Sequence, residues 1–112
     1  MSKTRQQKVA RLVQKELGII FREQSKTLFS GKMITVTTVR MTPDLGLAKV
    51  YLSIFPLKAG EDFLSVVKEH VKNIRLELGN RTRYQLRIIP ELSFYIDDSL
   101  DYLEKIEKLL HK

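Results

Sequence analysis

The chain contains no cysteine, which excludes a disulfide framework and any thiolate metal site. It also lacks long apolar runs. The longest are a few residues, such as 17–21, against the roughly 20 needed to span a bilayer. The opening residues, Met1, Ser2, Lys3, Thr4 and Arg5, are polar and basic, without the apolar stretch of a secretion signal. A soluble, unexported, cytoplasmic protein is expected. The only histidines, His70 and His111, fall in different predicted elements, with no carboxylates or further nitrogens nearby at ligand spacing. Phosphate loops, Gly-x-Gly-x-x-Gly turns and ordered Ser/His/Asp sets are missing as well. The expectation is a protein that is not an enzyme and needs no cofactor.

What is present is charge, and it is unevenly placed. Of 112 residues, 20 are Lys or Arg and 13 are Asp or Glu, a net of +7. Residues 1–32 hold eight basic side chains against two acidic ones, a net of +6. Residues 33–56 add +1 and residues 57–90 add +3, whereas residues 91–112 carry −3. A basic front and middle with an acidic tail fits a polyanionic partner met on one side. The length fits a single domain spanning residues 1–112. With 43% hydrophobic and 29% charged residues, the composition is that of a globular chain.

Hydrophobic periodicity divides the chain into six elements. Val9, Leu12, Val13, Leu17, Ile20 and Phe21 recur at helical spacing and predict a helix over 3–24. Residues 25–32 are rich in turn formers and read as a loop. Residues 33–41, dense in β-branched types, read as a strand. Alternation slips near Thr37 and Thr38, as a bulge would cause. After a turn at 42–46, residues 47–55 alternate cleanly and complete an antiparallel hairpin, closed by Pro56. A second helix is predicted over 61–78, with Gly79 as its stop. Residues 80–88 form a connection or a further short piece of helix. Pro90 opens a third strand with Leu92, Phe94 and Ile96 inward, the proline suiting a sheet edge. Asp97, Asp98 and Ser99 cap a last helix over 100–110. The order α-β-β-α-β-α, with a helical crossover long enough for parallel pairing, defines an α+β fold: a three-stranded mixed sheet covered by helices.

Three of these segments resemble the ribosome-binding factor A family. The opening helix, from Arg5 to Glu16 (RQQKVARLVQKE), is similar to the family's first helix. Residues 34–53 are similar to its hairpin, with Asp44-Leu45 followed by Ala48, Val50, Tyr51 and Ser53 in the pattern Ala-x-Val-Tyr-x-Ser. The third block runs from Ile74-Arg75 through Leu78-Gly79, Pro90-Glu91-Leu92, Phe94 and Asp97-Asp98-Ser99. The resemblance covers nearly the whole chain. It implies a KH-like fold of the second topological type. It also implies binding to free small (30S) ribosomal subunits and their 16S rRNA during late maturation and rRNA processing, with release before translation. The implied protein is a monomer that needs no metal or nucleotide, has no membrane partner, and meets other assembly factors including a GTPase. Ordinary KH domains clamp nucleic acid with a Gly-x-x-Gly loop, which this chain lacks. The family instead has a helix kink, commonly Ala-x-Gly, just before the Ile-Arg pair, and His70-Val71-Lys72 stands at that place here.

Phosphate binding needs several cations on rigid elements, so that condensed counterions leave together. Two groups qualify as RNA-binding candidates. Lys3, Arg5, Lys8, Arg11 and Lys15 lie on the first helix. Lys68, Lys72 and Arg75, with Arg81, Arg83 and Arg87, lie on and after the second. The competing reading of each is a solvated surface. Asp44, Ala48 and Val50 read as structural. Tyr51, on the polar face of its strand, reads first as packing and second as a ring on which a base could stack. Asp97 and Asp98 are explained as a cap. The alternatives to an assembly factor are a permanent small ribosomal protein, a generic RNA-binding domain, and an enzyme acting on RNA.

Overall fold

In the computed structural model, residues 2–97 are described; the helix expected over 100–110 lies outside them. The first helix, α1 (Ser2–Leu28), is followed by strands β1 (Met33–Met41) and β2 (Leu47–Phe55), helices α2 (Leu64–Glu69) and α3 (Val71–Thr82), and strand β3 (Glu91–Ile96). The sheet order is β1-β2-β3. β1 and β2 pair antiparallel, and β2 and β3 pair parallel. The sheet is therefore mixed, three-stranded and layered against helices, as its alternation pattern and helical crossover imply. The order is that of a KH-like fold with the second helix split in two.

One face of the sheet is apolar. Ile34, Val36, Val39 and Met41 of β1, Ala48, Val50, Leu52 and Ile54 of β2, and Leu92 and Phe94 of β3 are buried on it. α1 supplies Val13, Leu17, Ile20 and Phe21, and the second helical stretch supplies Val67, Ile74 and Leu78. The β1 pairing shifts register between Val36 and Thr38. This is the bulge expected from the slipped alternation, and it keeps Ile34 and Val39 on the same face despite their odd spacing. Gln14 of α1 donates through Nε2 to the carbonyls of Val36 and Thr37, so the bulge's irregular backbone is satisfied from the helix layer.

Three boundaries differ from those expected. α1 runs to Leu28, one turn beyond the predicted end, because Phe29 has to reach the core. Its ring is fully buried and lies 5.6 Å from Phe21, 6.4 Å from Phe63 and 5.6 Å from His70. The chain then reverses through left-handed Ser30 (φ 53°) and Gly31 (φ 76°), while the Ser25 carbonyl accepts from the Phe29 and Gly31 N–H groups. The predicted helix over 61–78 is two helices. α2 starts at Leu64, where the Asp62 carboxylate accepts from the Ser65 N–H and hydroxyl. The axis breaks at His70, which has φ −100° and ψ 14° and donates its N–H to Val67 O at 3.0 Å. The kink that the family resemblance implies is thus present at His70-Val71-Lys72, without alanine or glycine. Gly79 does not stop α3, which continues to Thr82. It faces Ile89 instead, whose Cγ1 would lie 3.4 Å from a Cβ at this position, an ordinary contact distance.

The β1–β2 turn is held by its side chains. Asp44 Oδ1 accepts from the Thr42 hydroxyl at 2.7 Å and from the Gly46 N–H at 3.0 Å, and Leu45 sits at φ 61°. These bonds hold the Asp44 carboxyl below its ordinary range, the Thr42 hydroxyl contributing most and the Gly46 N–H next.

Phe29→Ala should cost about 3–5 kcal/mol in urea unfolding, as for a core phenylalanine; a cost below about 1 kcal/mol would place the ring outside the core. For Asp44, a depressed folded-state pKa stabilises the protein above the unfolded value, and that stabilisation is lost as pH falls through the folded value. Asp44→Ala should therefore lower Tm at neutral pH, and the gap to the native chain should close below about pH 4. A pH-independent gap would remove the carboxylate from the turn's stability.

Candidate nucleic-acid interface

The helix layer turns its polar side outward, and several of the expected cations lie exposed on it. On α1 the buried stripe occupies one side. Arg5, Lys8, Arg11 and Lys15 are exposed, and spacings of three and four put Lys8, Arg11 and Lys15 along the outward face. Lys3 lies in the first turn of α1. The stripe continues through exposed Arg22 and Lys26. Arg22 lies within the helix expected over 3–24 but was not placed among the candidates; Lys26 fell in the expected loop, and with the helix continuing to Leu28 it lies one turn beyond Arg22.

The only acidic side chains of α1, Glu16 and Glu23, are both drawn toward α3. Arg81 donates from Nε to Glu16 Oε1 at 2.7 Å and from Nη1 to Glu23 Oε1 at 3.4 Å. This clamp joins the two helices and leaves the outward cations of α1 without a carboxylate of their own helix among them. A surface of one sign on a rigid helix is the arrangement that attracts a polyanion.

The second group is divided by the break at His70. Exposed Lys68 lies in the last turn of α2 and exposed Lys72 in the first turn of α3. Arg75 is turned to internal work. Its Nε donates to Pro90 O at 3.0 Å, its Nη2 donates to Ile89 O at 2.7 Å, and Glu91 lies 3.7 Å from the same nitrogen. It therefore fixes the entry to β3. A groove of about 670 Å³ runs along this side of α3, lined by Lys72, Arg75, Leu76, Gly79, Asn80 and Ile89.

Beyond α3, Arg83 and Arg87 are exposed in the turn that follows. Between them Tyr84 is 88% exposed, with the Arg83 guanidinium 5.0 Å from its ring centre. Tyr84 was not among the expected candidates, although its place within Arg81, Arg83 and Arg87 was visible in the sequence. The structure thus brings the exposed cations of α1, Lys68, Lys72, Arg83 and Arg87 to the helix layer's surface. Arg75 and Arg81 join elements within it.

Tyr51 lies on the opposite face of the sheet, stacked on Tyr95 with ring centres 5.3 Å apart. Among the described residues no group of His, Cys, Asp or Glu is placed to hold a metal ion, and no helix is long and apolar enough to cross a membrane. Asp97, expected to cap a helix, donates its N–H to Leu52 O and accepts from the Thr37 hydroxyl at the bulge.

Comparison with known proteins gives one consistent family. The profile described as Ribosome-binding factor A matches residues 5–110. A protein named Ribosome-binding factor A from Cytophaga hutchinsonii is 47% identical over 112 residues, covering 100% of this chain and 84% of its own length. One of the same name from Christiangramia forsetii is 46% identical over 108 residues, covering 93% and 80%. In three dimensions, the crystal structure of ribosome-binding factor A from Thermus thermophilus superposes with a TM-score of 0.65 at 19% identity, covering 81% of this chain and 94% of that one. A homology model of the Thermus thermophilus protein, fitted into the cryo-EM map of a 30S complex, superposes with a TM-score of 0.61 at 23% identity, covering 78% and 89%. At these identities the two structures show the fold.

The roles of neighbouring cations on α3 separate in stability. Arg75→Gln should cost about 1–2 kcal/mol in urea unfolding, because two backbone carbonyls lose a charged donor. Lys72→Gln should stay within about 0.5 kcal/mol of the native chain. Equal, negligible effects would mean that Arg75 does not anchor β3.

Proposed function

The chain belongs to the ribosome-binding factor A family, and from that premise we propose that it is a non-catalytic assembly factor of the small ribosomal subunit. It binds the free 30S subunit and its 16S rRNA, assists late maturation and rRNA processing, and leaves before translation. It acts in the cytoplasm as a monomeric KH-like RNA-binding domain over residues 1–112, alongside other assembly factors including a GTPase. The observation that carries this reading is the outward face of α1, where exposed cations follow one another with both acids of the helix turned away to Arg81.

Phosphate contacts from such a face fix position and carry no base sequence. The shape of folded rRNA then supplies specificity. Arg5, Lys8, Arg11 and Lys15, with Lys3 in the same helix, grip the backbone along one line. Arg22 and Lys26 extend it. Lys68, Lys72, Arg83 and Arg87 meet a second stretch, with Tyr84 offering a ring to an unpaired base. Arg75 and Arg81 contribute by holding β3 and α1 in place. The fitted 30S complex of the Thermus thermophilus protein supports the choice of subunit.

Reversing Lys8, Arg11 and Lys15 together to Glu should weaken binding to purified small subunits at every salt concentration. It should also reduce the log–log salt slope by about 0.7–0.9 for each phosphate that is no longer neutralised. Binding with unchanged affinity and slope would remove α1 from the interface.

A further inference from the structure

The second face of the sheet has no role in the reading above, and its composition is unusual for an idle surface. The side chains that alternate away from the helices are Thr35, Thr38 and Arg40 on β1, Lys49, Tyr51 and Ser53 on β2, and Ser93 and Tyr95 on β3. No described helix covers them. Register places Arg40 directly opposite Lys49, and Tyr51 beside Tyr95.

Two features point to a ligand. Like charges directly opposite one another destabilise a sheet, yet Arg40 and Lys49 are both exposed, and neither has an acidic partner among the described residues. An anion bound between them would turn that repulsion into attraction. Next to the pair, the rings of Tyr51 and Tyr95 stack at 5.3 Å with an interplanar angle of 26°. Tyr95 belongs to the edge strand β3 and is 39% exposed. The Ser93 hydroxyl donates to its phenol oxygen at 3.0 Å, so a partly exposed ring is held in a fixed orientation.

We propose that this face is a platform for single-stranded RNA, with a base stacked on Tyr95 as a continuation of the Tyr51–Tyr95 stack and the adjoining phosphates bound by Arg40 and Lys49. Fixed aromatics beside unpaired cations on a rigid sheet are what single-strand binding needs, because every base offers a π-face and every nucleotide a phosphate. The platform rests on the reading that the chain binds rRNA, and it adds a second surface on the side opposite the basic helices. One molecule then holds folded rRNA on its helix layer and an unpaired strand on its sheet.

The test uses the full chain, a short dye-labelled oligoadenylate and purified small subunits, read by fluorescence anisotropy and co-sedimentation. Tyr95→Ala should weaken oligoadenylate binding at least about 5-fold, the lower bound for losing one base stack. Tyr95→Phe should stay within about 2-fold, since the ring face remains. The double variant Arg40→Gln with Lys49→Gln, which leaves the tyrosines untouched, should weaken binding and flatten its salt dependence. The Lys8, Arg11 and Lys15 reversal should leave oligoadenylate binding nearly intact while reducing subunit binding. The platform is overturned if native protein binds subunits but not oligoadenylate, or if Tyr95→Ala and the Arg40/Lys49 double variant both bind it as the native chain does; in either case the proposed function stands. Loss of that function would show separately, as native protein that binds no small subunits.

Discussion

Every other feature of this molecule depends on the burial of one apolar stripe of α1 against the inward face of the sheet. Val13, Leu17, Ile20 and Phe21 are buried there, α1 packing on β1 and Phe21 meeting Phe94 of β3. Burying apolar area is the dominant favourable term in folding, and each such side chain is worth roughly 1.5–3 kcal/mol. A helix cannot turn one side inward without turning the other outward, so the placement of Lys8, Arg11 and Lys15 is a consequence of where Val13 and Leu17 must go. The cationic surface therefore needs no energy of its own to be presented. It also gains rigidity from the core beneath it, which a loop of the same charge would not have.

The same logic explains why some cations are available and others are not. Arg81 sits where α3 crosses α1, and two carboxylates of α1 lie within its reach. Arg75 sits where the chain must turn from α3 into β3, and two carbonyls there need a donor. Lys32 is held at the foot of the sheet, 3.0 Å from Glu61, with its ammonium donating to Pro56 O and lying over the Phe63 ring. The Lys58 N–H and the Lys32 ammonium together hold the Glu61 carboxyl below its ordinary range. Charge alone does not mark these three as different from Lys8 or Lys72; their neighbours do.

Most of the fold was legible in the chain because its periodicities are strong. The clean alternation of β2, the slip at Thr37 and Thr38, and the apolar repeat of α1 each translate into a single local structure. The misread boundaries share a cause. The segment 25–32 is rich in residues that favour turns, but burial of Phe29 outweighs those propensities and draws α1 one turn further. Gly79 looks like a helix stop, yet α3 continues to Thr82, where the buried Thr82 side chain donates to Leu78 O, a contact no local turn signal records. The break at His70 was not legible, because His70 and Lys72 stand where the family's kink commonly has alanine and glycine, and the apolar repeat over 61–78 reads as one helix. For the interface, the two basic groups were visible as composition. The clamp at Arg81, the anchor at Arg75 and the pairing of Arg40 with Lys49 were not, because each depends on which elements meet in space.

Whether this chain visits the small subunit and then departs is tested most directly by sedimentation of cell extract through a density gradient, with each fraction probed for the protein. Signal with free small subunits, and none with assembled ribosomes or polysomes, is the predicted result. Signal throughout the polysomes would contradict it and identify a permanent ribosomal protein, and signal only at the top of the gradient would remove the subunit as its partner.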